Sequence, residues 1–148
     1  MVLACLTLSS CNSLAKPPQA GVGFVKIAQG NTSGIDTQRL EIIRSQAEYQ
    51  ALWQVHAGTT ELLAPALDFQ TQMLIVSFAG NQPSGGYRLE IEKITQTDQG
   101  LAIELVLIQP GSNCLLSQAI SQPYLLATSP ISQAAVKFSL SNKIVDCQ

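Results

Sequence analysis

The sequence predicts a mostly β domain, an antiparallel β-sandwich or partly open barrel with one helix towards its N-terminal end. Three observations predict it. Roughly seven short runs, apolar or alternating, recur along the chain between clusters of Gly, Pro, Asn and Ser. Only one stretch, Ser45 to Gly58, carries helix start and stop signals. Hydrophobic residues make up 46% of the 148 and charged residues 12%, which supplies a core and excludes disorder by composition.

The first predicted strand is Gly23 to Gln29, followed by a turn at Gly30-Asn31-Thr32-Ser33-Gly34. Arg39 to Arg44, RLEIIR, is the second. Ser45 then precedes Glu48 by three, the spacing of a capping box in which each side chain satisfies the other residue's backbone N–H. Ala47, Tyr49, Leu52, Trp53 and Val55 form a partial helical stripe, and Gly58 is placed to end the helix. Trp53, the sole tryptophan, is expected to anchor that helix in the core. His56, the sole histidine, has no second ligand at metal spacing and suits a capping or surface role at the helix C-terminus.

Thr59 to Phe69 is a connector. Met73 to Phe78 is apolar on both faces except Ser77, as a buried strand would be. The loop Ala79 to Gly86 follows, with three glycines and Pro83. Tyr87 to Ile94 alternates, with Tyr87, Leu89 and Ile91 opposite Arg88, Glu90 and Glu92. Thr97-Asp98-Gln99-Gly100 is a hairpin turn with Gly where positive φ is needed. Leu101 to Ile108 returns with Leu101, Ile103, Leu105 and Leu107 on one face. A second turn-rich loop, Gln109 to Asn113, leads to Cys114. Tyr124 to Thr128 and Ala135 to Leu140 are the last two strands, and Lys143 to Cys147 is a short apolar tail.

The chain's start reads differently. Met1 to Ser10 is apolar or small, too short to span a membrane, and suits the end of a secretory signal. Leu8-Ser9-Ser10-Cys11 resembles the bacterial lipobox. That resemblance implies acylation of Cys11 and a periplasmic or outer-membrane protein held by lipid alone. No basic residue precedes Lys16, so the expected translation start lies upstream. Residues 1–10 are then a signal remnant, 11–20 a lipid-anchored tether with Pro17-Pro18, and 21–148 the folded domain. Cys5 leaves with the signal and Cys11 carries lipid, so Cys114 and Cys147 remain to pair in an oxidising compartment. Two free thiols are the alternative, because spacing alone does not show proximity.

Composition also bounds function. A net charge of −2 offers no basic footprint for nucleic acid. The glycine-rich loop lacks the lysine and the following helix of a phosphate loop. No residue set satisfies the requirements of a catalytic site. His56 is the only side chain of its kind to serve as base for a serine or for Cys114, and Glu90 with Glu92 reads as a solvated strand face. No metal or cofactor is implied.

The spaced blocks carry a family resemblance. Leu67-Asp68-Phe69, a hydrophobic strand and Gly80 to Tyr87 look like "DF…G-x-x-P-T/S-G-G-Y". Gln109-Pro110-Gly111, Cys114, Ser117-Gln118-Ala119 and Gln122-Pro123-Tyr124 match "P-G…C…T-Q-A…P-Y". From about Glu48 to Thr128 the chain resembles PrcB-type domains, with Ser84 and Ser117 in place of the usual Thr. The resemblance implies an accessory subunit that supports assembly or stability of a secreted protease complex, and no catalytic residues. Gln82 to Tyr87 is also similar to the N-P-T-T-G-Y loop of chagasin-type cysteine-protease inhibitors, although no second inhibitory loop accompanies it. The expectation is a non-catalytic module whose protein partner, a protease or its complex, meets Gln82, Pro83, Ser84, Gly85, Gly86 and Tyr87 together with Gln118, Pro123 and Tyr124.

Overall fold

The computed structural model describes residues 19–58 and 62–148. Among these residues, seven strands and one helix occur in the order β1 (Val25–Gly30), β2 (Gln38–Ile43), α1 (Gln46–Ala57), β3 (Gln72–Ala79), β4 (Arg88–Thr97), β5 (Gly100–Pro110), β6 (Tyr124–Pro130) and β7 (Val136–Val145). They build two facing sheets, β1-β6-β3-β2 and β4-β5-β7. The predicted β-sandwich with one helix is the observed architecture.

β3 explains the layering. Its residues Met73 to Ala79 are buried without a break. A strand reads that way only when both its faces are covered. Met73, Ile75 and Ala79, with Leu125 and Ala127 of β6, pack against Leu89, Ile103, Leu105 and Leu107 of the second sheet. Leu74, Val76 and Phe78, with Leu126, face Tyr49 and Leu52 of the helix instead. The four-stranded sheet is thus the middle layer, between α1 and the three-stranded sheet.

The helix starts as its sequence dictates. Ser45 Oγ accepts from the Glu48 N–H at 3.3 Å and donates to Glu48 Oε2 at 2.9 Å. Glu48 Oε2 also accepts from the Arg44 N–H at 3.4 Å, one residue before the cap. Gly58 ends the helix with φ +56°. The stripe, however, is Tyr49, Leu52 and His56, which are buried, with Trp53 half-buried beside them. Val55 is exposed. Trp53 is therefore a rim residue and not the deep anchor expected. Its Nε1 donates to the Leu62 carbonyl at 2.9 Å, so the polar end of the ring stays at the surface.

Three strand readings change. β5 and β7 pair in parallel, from Leu101↔Val136 to Pro110↔Val145, whereas all other strand pairs are antiparallel. The chain leaves β5, lays β6 into the other sheet, and crosses back, so β7 returns in the direction of β5. The apolar tail is not separate: β7 runs unbroken through Lys143 and Ile144. In β4 the register shifts between Ile91 and Lys93. This bulge lets Ile94 follow Leu89 into the core and ends the shared face of Glu90 and Glu92.

Candidate partner-binding surface

The two segments singled out in the sequence lie side by side at one end of the sandwich. β3 runs into Gly80, whose φ is +73° and where a Cβ would sit 2.9 Å from the Asp36 carbonyl oxygen. Only glycine lets the chain turn there against the 36–38 backbone. Gln82 then pairs with Ser121: the Gln82 N–H donates to the Ser121 carbonyl at 2.8 Å, and the Ser121 N–H returns the bond at 3.1 Å. Ser121 Oγ donates to the Ser84 carbonyl at 2.7 Å. The Gly85 N–H donates to the Ser117 carbonyl at 2.9 Å. Gln122 Nε2 donates to Asn81 Oδ1 at 2.9 Å.

Those bonds assign the glycines a specific job. At Gly86, with φ +86°, a Cβ would lie 2.7 Å from Leu116 Cδ2. The chain's own 116–121 segment thus approaches the loop, by the Leu116 side chain at Gly86 and by backbone bonds from Ser117 and Ser121. Several loop donors and acceptors expected to be open to a partner are already engaged within the chain.

The predicted residues therefore divide. Pro83, Gly86 and Gln118 are exposed, and Gln82 and Gly85 are partly so. Ser84 and Pro123 are buried, and the Pro123 carbonyl accepts from the Ala79 N–H at 2.9 Å. The tyrosines do not share a surface. Tyr87 packs on the core between the sheets, whereas Tyr124 packs on the helix side. Tyr87 directly precedes β4 and Tyr124 begins β6, strands of different sheets, and the parity of each strand sends the two rings to different layers.

Sequence reasoning missed two exposed apolar residues beside the glycine loop. Leu115 is fully exposed and Ile120 is 64% exposed, both in the segment that covers the glycine loop. The available signal was apolar residues inside a stretch otherwise built of turn formers. That segment is held down at its other end as well. Cys114 and Cys147 form the predicted disulfide, with Cα atoms 5.1 Å apart. Asn113 adds a two-way clamp: its Nδ2 donates to the Cys147 carbonyl at 2.7 Å, and its Oδ1 accepts from the Cys147 N–H at 3.1 Å. Exposed apolar side chains on a fixed loop suit partner recognition, because little ordering cost remains on binding.

The groups weighed for catalysis sit elsewhere or are otherwise engaged. Cys114 is in the disulfide and is no nucleophile. Glu90 pairs with Arg88 at 2.8 Å on the open sheet face. His56 is buried rather than at the surface, within ring contact of Trp53, Phe78 and Tyr124, the last at a centroid distance of 4.4 Å. Ser33 Oγ accepts from the Ile35 N–H at 3.0 Å and is hydrogen-bonded to His56 Nδ1 at 2.9 Å. Nε2 has no hydrogen-bond partner among the described residues. A depression of about 800 Å³ lies around the Thr97–Gly100 hairpin at the far end of β4, away from these groups. Among the described residues, no three His, Cys, Asp or Glu side chains gather as a metal site.

Burial lowers the pKa of His56 below the usual 6.5. Between the two values the unfolded chain binds a proton that the folded one does not, so stability falls as pH drops from about 6.5. Urea midpoints measured at roughly pH 7.5 and 5.5 should show this loss in the native protein. His56→Gln should flatten that part of the profile, whatever it costs at neutral pH. An unchanged slope would assign the acid sensitivity to other groups.

Residues 73–130 match the family model described as PrcB C-terminal. A PrcB C-terminal domain is thus present over β3 to β6, and it contains both joined segments, Cys114, Leu115 and Ile120. The match begins at Met73 rather than near Glu48, so α1 and Leu67-Asp68-Phe69 precede it. Cys147 and β7 follow it, and the disulfide ties the PrcB C-terminal domain to the strand beyond. No curated protein and no solved structure matches the chain.

Proposed function

We propose that this chain is a non-catalytic, exported binding module whose PrcB C-terminal domain presents the joined loops to a protein partner within a secreted protease complex, supporting its assembly or stability. One observation carries the reading: Leu115 and Ile120 are held out to solvent on a segment bonded to the glycine loop and fastened by a disulfide. Large apolar side chains flanked by polar ones, here Ser117 and Gln118 between Leu115 and Ile120, are the anatomy of an interface anchor and its rim. The disulfide accords with an oxidising compartment. Export, acylation at Cys11 and the division into residues 1–10, 11–20 and 21–148 belong to this proposal. Cys11 and the segment before it lie outside the described residues. Within the tether, the Ala20 carbonyl already accepts from the Gln96 N–H at 2.9 Å.

The inhibitor reading asks the Gln82–Tyr87 loop to project into a protease cleft. Here the loop lies against residues 117–121 with Ser84 buried, which favours the accessory module. The deciding variant is Leu115→Asp with Ile120→Asp, since both side chains are free of core packing. Association with a co-exported protease complex should weaken at least tenfold, about 1.4 kcal/mol or more, while the thermal midpoint is kept. Binding unchanged by the double variant would remove these loops from the interface. Dose-dependent inhibition of a papain-like enzyme by the purified domain would favour the inhibitor instead.

A further inference from the structure

We propose that the outer edge of β7 is a second docking site, which accepts an extended, acidic segment of a partner protein as an added strand. The proposal is independent of the joined loops.

The hydrogen bonds define the open edge. The Leu101 N–H donates to the Ala135 carbonyl, and the Gly111 N–H donates to the Val145 carbonyl, both at 2.8 Å. In a parallel ladder, alternate residues direct both backbone groups to the neighbour, and the residues between direct theirs away. The backbone groups of Val136, Phe138, Leu140, Asn142 and Ile144 therefore face outward. β7 is the last strand of its sheet, so among the described residues nothing pairs with them on that side.

The other edges are shorter or interrupted. β1 is bulged after Lys26, and β2 has six residues. β4 is bulged after Ile91, and its end is paired with Gly21 and with the Ala20 and Val22 backbone. β7 offers ten residues in continuous register, with no Gly or Pro. Such an edge is either a hazard or a template for a strand.

Charge selects the occupant. Lys137 and Lys143 are exposed on one face of β7, neither in an ion pair with a described residue, in a chain of net charge −2. They lie six residues apart, about 20 Å along the strand. A second copy paired antiparallel about Leu140 would set Lys137 opposite Lys143, which repels. A segment with carboxylates six positions apart on one face would meet both.

The probe is a synthetic ten-residue peptide of alternating Val and Thr with Glu at its second and eighth positions. Amide hydrogen exchange of the whole domain, followed by NMR, should show new protection confined to Val136, Phe138, Leu140, Asn142 and Ile144. The same peptide with Lys for Glu should bind at least tenfold more weakly, and Lys137→Glu with Lys143→Glu should invert that order. Asn142→Pro removes an outward donor and should abolish the protection at an unchanged thermal midpoint; should it unfold, the charge-inversion pair decides. Leu115→Asp with Ile120→Asp should leave peptide binding intact. No protection at millimolar peptide, equal binding of the Lys peptide, or a dimer that protects these amides without peptide would each overturn the proposal.

Discussion

Phe78→Ala is expected to destabilise the domain by about 3–5 kcal/mol. Phe78 is fully buried on the helix side of β3, with ring centroids of His56 at 5.4 Å and Tyr124 at 6.1 Å. Removing it leaves a cavity bounded by a sheet and a helix, neither of which can collapse without breaking its own packing. It also takes a ring from His56, whose Nε2 has no partner among the described residues to hold it in place. Chemical denaturation at neutral pH checks the value. Trp53→Ala should cost less, because Trp53 is half-buried at the rim of the same cluster. The opposite order would mean that the helix is held by its rim rather than by Tyr49, Leu52 and His56.

Replacing both Cys114 and Cys147 with Ser is expected to cost about 3–4 kcal/mol on the chain-entropy account, for a sequence separation of 33 residues. The loss should be uneven in space. Amides of the 111–121 segment should exchange faster than those of β3, since that segment would keep only the Asn113 clamp and its bonds to the glycine loop. Guanidinium midpoints of the oxidised protein and of the double variant give the energy. A difference below roughly 1 kcal/mol, well under the usual range, would mean that the clamp alone holds the loop.

How much of this was legible in the sequence depends on the range of the interaction. The buried strand at Met73–Phe78 was legible because a strand covered on both faces must be apolar at every position. The helix start was legible because Ser45 and Glu48 satisfy backbone groups within one turn. The parallel partner of β5 was not, since alternation in β7 fixes its faces and says nothing of its neighbour's direction. His56 was misplaced because its burial is supplied by Tyr124 and Phe78, which arrive from strands far along the chain. The adjacency of the two loop segments was readable only through family resemblance. Leu115 and Ile120 escaped notice because exposure of an apolar residue depends on what fails to pack over it.

The sheet order has a consequence for how the chain comes to be folded. β6 lies between β1 and β3, so β1 has no strand beside it until residues 124–130 have been synthesised. β3 likewise waits, with only β2 beside it and its other edge unpaired until β6 arrives. Nearly the whole polypeptide must therefore be present before the middle layer can close, and its closing joins segments about a hundred residues apart, which makes for slow, late assembly. A chain truncated before Tyr124 would lack both the keystone of that layer and any use for its own beginning. The same order keeps the polypeptide open to threading, proteolysis or capture by a holdase until its last quarter emerges.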